Sequence, residues 1–243
     1  MIAATNNVAG GKGPCGEHVG GARTREGMTG RTGSNSPGGH RPTDKVRQLQ
    51  RRLWVAAKRS PERRFHALLD RIWRDDVLQA AWRRVKRNRG TAGVDRETLA
   101  VVEQYGVERM LNELHAALRA GTYRPQPVLR RYIPKADGRQ RPLGIPTVRD
   151  RVAQMAAMLM LEPIFEADFR ASSYGFRPRR SATQALETLR VRSTRRGDHV
   201  LDADIRDYFG SIDHAKLMAL VGQRISDRRV LKLLRQWLAA GMM

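Results

Sequence analysis

A chain of 243 residues carries 46 Lys and Arg against 24 Asp and Glu, a net charge of +22, with 40% hydrophobic residues. That is enough apolar material for one large domain or two small ones, and it excludes a collagen-like fibre or a wholly disordered polymer. Cys15 is the only cysteine, so a disulfide scaffold is excluded, and the longest apolar run, Met155 to Leu161, is too short for a membrane span. The first residues, Met1 to Val8, lead into glycines rather than a long apolar core, which does not fit a secretory signal. A soluble, cytoplasmic protein with no membrane partner is expected.

Only seven of the 46 basic residues are lysines. Genomic codon bias accounts for much of that ratio, but not for the surplus of positive charge. Guanidinium groups fork onto phosphates and stack on bases, so the balance points to a polyanionic partner, a nucleic acid.

Residues 1–44 hold 11 of the 22 glycines and almost no apolar periodicity, and this head is expected to be disordered. From Lys45 the pattern changes. Val46, Leu49, Leu53 and Trp54 share a helical face, and Ser60-Pro61-Glu62 reads as the start of a second helix carrying Phe65, Leu68, Leu69 and Ile72. Asp75-Asp76 opens another, with Val77, Leu78, Ala81, Trp82 and Val85. A loop with two glycines follows from Arg87 to Asp95, then a helix from Val107 to Ala120 that stops at Gly121. Val128–Lys135 and Arg139–Ile145 flank Asp137-Gly138, a hairpin signal. Thr147 caps a helix expected to end at Pro163. Ser172 to Pro178 is a loop and Ala182 to Arg192 a helix. His199 to Ile205 reads as a strand, with helices after it over 213–224 and 226–240. The fold class is α+β, mostly helical with a short antiparallel sheet.

In the strand reading, Asp202 and Asp204 alternate with Leu201, Ala203 and Ile205, so both carboxylates face one side. A carboxylate ending a strand, before a turn with Tyr208 and Phe209, suits a hard cation held beside a nucleotide. An ordinary edge strand with exposed acids explains the same residues.

Upstream lie Tyr132-Ile133-Pro134-Lys135, Gln140-Arg141-Pro142-Leu143-Gly144-Ile145-Pro146-Thr147, Asp150-Arg151 with Gln154, Glu162-Pro163-Ile164-Phe165, and Ser173-Tyr174-Gly175-Phe176-Arg177-Pro178. Together with the segment around Asp204, these blocks resemble the reverse transcriptases encoded by bacterial group II introns, the intron maturases. The likeness runs from about Val77 to the end of the chain.

The resemblance implies fingers and part of a palm over 77–243, preceded by an N-terminal helical extension over 45–76. It implies two-metal nucleotidyl transfer with Mg²⁺ as cofactor, and intron RNA, an RNA template, a DNA primer and deoxynucleoside triphosphates as partners. Asp204 matches the first metal-binding aspartate, with the backbone carbonyl of Ile205 as a further ligand. Lys135 and Arg141 match the residues that hold the triphosphate, and Phe209 the aromatic beneath the sugar. Arg87 and Arg89 match a loop that touches template RNA. Arg177 is read either as an RNA contact or as a local ion-pair partner.

One departure stands out. The family carries a second carboxylate cluster, Tyr-Ala-Asp-Asp or a variant, and this sequence holds none. Its only adjacent aspartates are Asp75-Asp76. The expectation is a truncated or split enzyme, inactive alone, whose charge still binds RNA. The alternatives are a non-catalytic RNA-binding remnant of a maturase, or a reverse transcriptase of the retron, diversity-generating or CRISPR-associated type.

Overall fold

The computed structural model describes residues 42–134, 138, 140–196, 201–205 and 207–241. Residues 1–41 of the glycine-rich head, Lys135 and the start of the expected strand at His199 lie outside these residues, while 42–44 begin the first helix. The described residues form nine helices and one two-stranded sheet: α1 (Pro42–Arg59), α2 (Leu69–Ile72), α3 (Asp75–Asn88), α4 (Leu99–Tyr105), α5 (Val107–Ala120), β1 (Leu129–Pro134), β2 (Gln140–Ile145), α6 (Val148–Glu166), α7 (Ala182–Arg196), α8 (His214–Arg224) and α9 (Arg228–Ala239).

Helix α6 is the hub. The apolar run Met155–Leu161 sits inside it, and about two thirds of its circumference is buried, through Val152, Ala153, Met155, Ala156, Leu159, Met160 and Ile164 among others, while Arg151, Gln154, Met158, Glu162 and Phe165 line one less buried stripe. A helix with so broad an apolar surface needs several neighbours. Helices α1, α2, α3 and α5 supply them. Each presents one apolar stripe, such as Val46, Leu53 and Ala57 on α1 and Val77, Leu78, Ala81, Trp82 and Val85 on α3. Trp54, one step round from Leu53, is 39% exposed rather than part of that face.

Three local expectations are corrected. Pro163 does not end α6, which runs on to Glu166. A proline here leaves the carbonyl of Leu159 without its helical donor. Gln50 Nε2 of α1 donates to that carbonyl at 3.0 Å, so the helix continues at little cost. Ser60-Pro61-Glu62 does not start a helix either. The chain there is irregular because Phe65 makes an isolated parallel bridge to Ile225: Phe65 N donates to Arg224 O at 2.8 Å, and Ser226 N to Phe65 O at 2.9 Å. Residues 201–205 form no strand: Leu201 is 92% exposed and Ile205 64%, and β1 and β2 pair only with each other. A strand needs a neighbour for its N–H and C=O groups, and none lies beside this stretch among the described residues.

The hairpin β1–β2 is in the expected place, antiparallel, with Gly138 at φ +78° in its turn. Its base is anchored by Asp150, 2% exposed in the first turn of α6. Asp150 accepts from Tyr123 Oη at 2.6 Å, Thr147 Oγ1 at 2.8 Å and Gln126 N at 3.1 Å, while Trp237 Nε1 of α9 donates to Tyr123 Oη at 3.1 Å. Thr147 in turn caps α6 through Asp150 N.

Asp227 and Arg224 tie the C-terminal pair α8–α9 to the segment before α2. Asp227 caps α9 and also accepts from the amides of Leu68 and Leu69, both at 3.0 Å. Arg224 donates to the carbonyls of Ala57, Ser60, Pro61 and Arg63 and faces Asp168 at 2.9 Å, closing the end of α1. Burial pushes the Asp227 carboxyl up, but the amides of Leu69 and Leu68 and the Arg229 side chain outweigh it and hold the pKa below its ordinary 3.8. A depressed carboxylate stabilises the fold above the unfolded pKa, and the gain is lost as pH falls through the folded value. Asp227→Ala should therefore cost about 2–3 kcal/mol in chemical denaturation at neutral pH, through the lost cap and three orphaned amides. The difference from wild type should shrink as the pH falls below about 4.

Candidate functional site

The hairpin and the loop before α4 enclose a cleft. Alternation along the paired strands puts Leu129, Arg131, Ile133, Arg141, Leu143 and Ile145 on one face, with Arg141 opposite Ile133 and Arg131 opposite Leu143. Across from that face stand Thr91, Ala92, Gly93, Val94 and Arg96. The floor is thus apolar and partly exposed, with guanidinium groups along it. That combination suits the planar faces of nucleotides and their phosphates.

The loop is shaped by backbone that only particular residues adopt readily. Gly90 stands at φ +122°, and Arg89 and Arg96 at +54° and +60°. Gly93 passes so close to the cap of α6 that a Cβ there would lie 2.7 Å from the backbone of Thr147. Arg87 closes α3, and both it and Arg89 are exposed, at the loop's entrance.

Asp204, Ile205 and Phe209 lie in a second stretch. Asp202 and Asp204 are exposed, and Asp207 turns the chain at φ +48° with its carboxylate against Gly210. Tyr208 and Phe209 meet edge to face, 5.2 Å between ring centres, and Asp213 then caps α8. The aspartates are therefore presented by an irregular segment and a turn rather than by a strand. Among the described residues, no group of three or more His, Cys, Asp or Glu side chains is placed to hold a metal ion. A carboxylate such as that of Asp204 and a backbone carbonyl such as that of Ile205 are oxygen donors of the kind Mg²⁺ prefers, and two such groups do not fill its coordination shell.

Arg177 stands apart. Its side chain is 7% exposed and ion-paired to Glu166 at 2.6 Å, with Nη1 donating to the carbonyls of Arg170 and Ser173, both at 2.7 Å, and its plane 5.0 Å from the Phe169 ring centre. The hydrogen bonds it donates to Glu166 raise its pKa. Of the two sequence readings, RNA contact and local ion pair, its surroundings are those of the ion pair. It braces the 167–181 segment from within. Lys135 lies outside the described residues.

The sequence pattern pointed to no role for Arg131, Arg96 or Arg151, or for the anchor at Asp150. A signal for the anchor was present: Thr147 and Asp150 are three apart at a helix start. Arg131 was legible only once the register placed it beside Leu143.

Comparison with known proteins adds a family. Residues 133–241 match the family described as reverse transcriptase (RNA-dependent DNA polymerase). Protein YkfC of Escherichia coli (strain K12) is 39% identical over 203 residues, 81% of this chain and 53% of YkfC. The group II intron-encoded protein LtrA of Lactococcus lactis subsp. cremoris is 34% identical over 180 residues, 73% of this chain and 29% of LtrA. Nuclear intron maturase 1, mitochondrial, of Arabidopsis thaliana is 32% identical over 90 residues, 37% of this chain and 12% of its own length. The chain thus spans about half the length of the first of these relatives and less than a third of the second.

Arg177→Met and Glu166→Gln should each lower the melting temperature. If the pair acts as one unit, the double variant should melt within about 2 °C of the lower single variant. Additive losses in a thermal-denaturation cycle would show that the two side chains act independently.

Proposed function

From a chain that belongs to the reverse transcriptases of group II introns, the intron maturases, we propose an RNA-directed DNA polymerase that binds intron RNA and a template–primer. The observation that carries this reading is the family match over 133–241, which takes in the hairpin with Lys135 and Arg141 and the stretch with Asp204 and Phe209. In it, Lys135 and Arg141 grip the triphosphate of the incoming nucleotide, and Phe209 lies beneath its sugar and opposes a 2′-hydroxyl. Arg87 and Arg89 hold template phosphates. Asp204 and the Ile205 carbonyl supply part of the ligand set for Mg²⁺, which in two-metal transfer activates the primer hydroxyl and neutralises the leaving pyrophosphate.

The cleft supports the division of labour. Its cations, Arg131 on the paired hairpin and Arg96 on the loop, stand on ordered backbone, so charge is placed before substrate arrives, and preplaced charge is what phosphoryl transfer demands of a protein. The 243 residues by themselves are expected to bind RNA without extending a primer, because one aspartate cannot fix two cations about 3.5–4 Å apart.

Titration with labelled RNA tests the binding. If about six phosphates are contacted, affinity should fall on the order of 10³-fold between 50 and 200 mM salt, and a slope near zero would overturn the reading. Catalysis is tested by fusing the chain to the remaining portion of a relative and measuring primer extension. Asp204→Asn should abolish extension. Lys135→Ala and Arg141→Ala should each weaken nucleotide use by about 1–3 kcal/mol, and Phe209→Ala should relax discrimination against ribonucleotides. Full activity of the Asp204→Asn fusion would refute the assignment.

A further inference from the structure

Helix α6 carries a second cation that the proposed chemistry does not use. Arg151 sits one turn after Thr147, on the same face of the helix. Its guanidinium reaches back some sixty residues in sequence: Nη2 donates to Thr91 O at 2.7 Å and Nη1 to Arg89 O at 3.4 Å. Its Nε is buried without a hydrogen-bond partner among the described residues. Burial lowers its pKa, with the charge of Asp95 opposing the shift. An arginine is costly in such a place, and two backbone carbonyls are its return.

Those carbonyls belong to the most constrained stretch of the loop. Arg89 is held at φ +54°, a conformation that side chains resist and that persists only when the surroundings enforce it. Gly90, at φ +122°, lies directly against Arg151 Nη1, and a Cβ there would collide with the guanidinium. Gly93 rests on the backbone of Thr147. Thr147 and Arg151 therefore grip the loop at two points along one helix face.

We propose that Arg151 is a positioning residue: its two-pronged hold on Arg89 and Thr91 sets the wall of the cleft that faces the hairpin and aims Arg87 and Arg89 at nucleic acid. This rests on the proposed RNA-binding reading for its consequence, though not for its geometry. A lysine cannot replace it, since a single ammonium does not span two carbonyls held in the fork of a guanidinium.

The test uses the whole chain in four forms: wild type, Arg151→Met, Arg151→Lys and Gly90→Ala. Hydrogen exchange of the amides of residues 89–96 reports the loop without any RNA. All three variants should exchange there at least about tenfold faster, while the amides of α6 stay protected. A short labelled RNA then reports the consequence. Each variant should bind about tenfold more weakly, and in an Arg87→Ala/Arg89→Ala background Arg151→Met should weaken binding no further. Unchanged exchange in Arg151→Met, or wild-type behaviour of Arg151→Lys, would overturn the proposal. So would unchanged RNA affinity in a loosened loop, additive losses with the double-alanine background, or loss of α6 protection in all three variants, which would make Arg151 a plain core staple. Failure of the wild type to bind RNA at all would overturn the proposed function, and the exchange rates would still decide whether Arg151 holds the loop.

Discussion

Burying α6 over most of its circumference is the condition on which the rest of the structure depends. A helix with so wide an apolar surface cannot lie flat against a single neighbour, so α1, α2, α3 and α5 are drawn round it and the core forms there. Once it is fixed, its first turn becomes a rigid platform. Thr147, Asp150 and Arg151 all project from that turn, and each holds a different piece of backbone: the helix start, the entry to β1 and the loop after α3. The two walls of the cleft are thus set by residues no more than four apart in sequence.

A second tie closes the far side. Asp227 and Arg224 bind the short α2 region and the end of α1 to α8–α9 through backbone amides and carbonyls, beside an apolar core that the same elements share. Buried charges are tolerated here because each is surrounded by hydrogen-bonding partners. The contrast with 201–211 is physical. Residues 201–205 and 207–211 have neither an apolar seat nor a strand neighbour among the described residues, and their aspartates and aromatics are consequently exposed.

The arginine surplus divides accordingly. Arg177, Arg224 and Arg229 are engaged with Glu166, Asp168 and Asp70, and Arg151 with backbone carbonyls. These guanidinium groups hold the protein together. Arg87, Arg89, Arg131 and Arg141 are left exposed, and Arg131 lines the cleft together with Arg96. A sequence count cannot make that division, because the fork that matches a phosphate matches carboxylates and carbonyls equally well.

Local chemistry alone determined a good deal: the mainly helical class, the hairpin between two extended arms, the cap at Thr147 and the stop at Gly121. Its ordered blocks also carried the likeness to group II intron reverse transcriptases, since motif residues are legible wherever they fold. Only the tertiary structure decided the rest. Phe65 was drawn out of a helix by Ile225, 160 residues away, and Pro163 was kept inside one by Gln50. Asp204 was left in irregular chain for want of a neighbouring strand, and Arg177 was turned inward by Glu166. In each case the deciding partner lies beyond the reach of periodicity or capping, and a hydrogen bond or ion pair forms only where packing has already brought its two ends together.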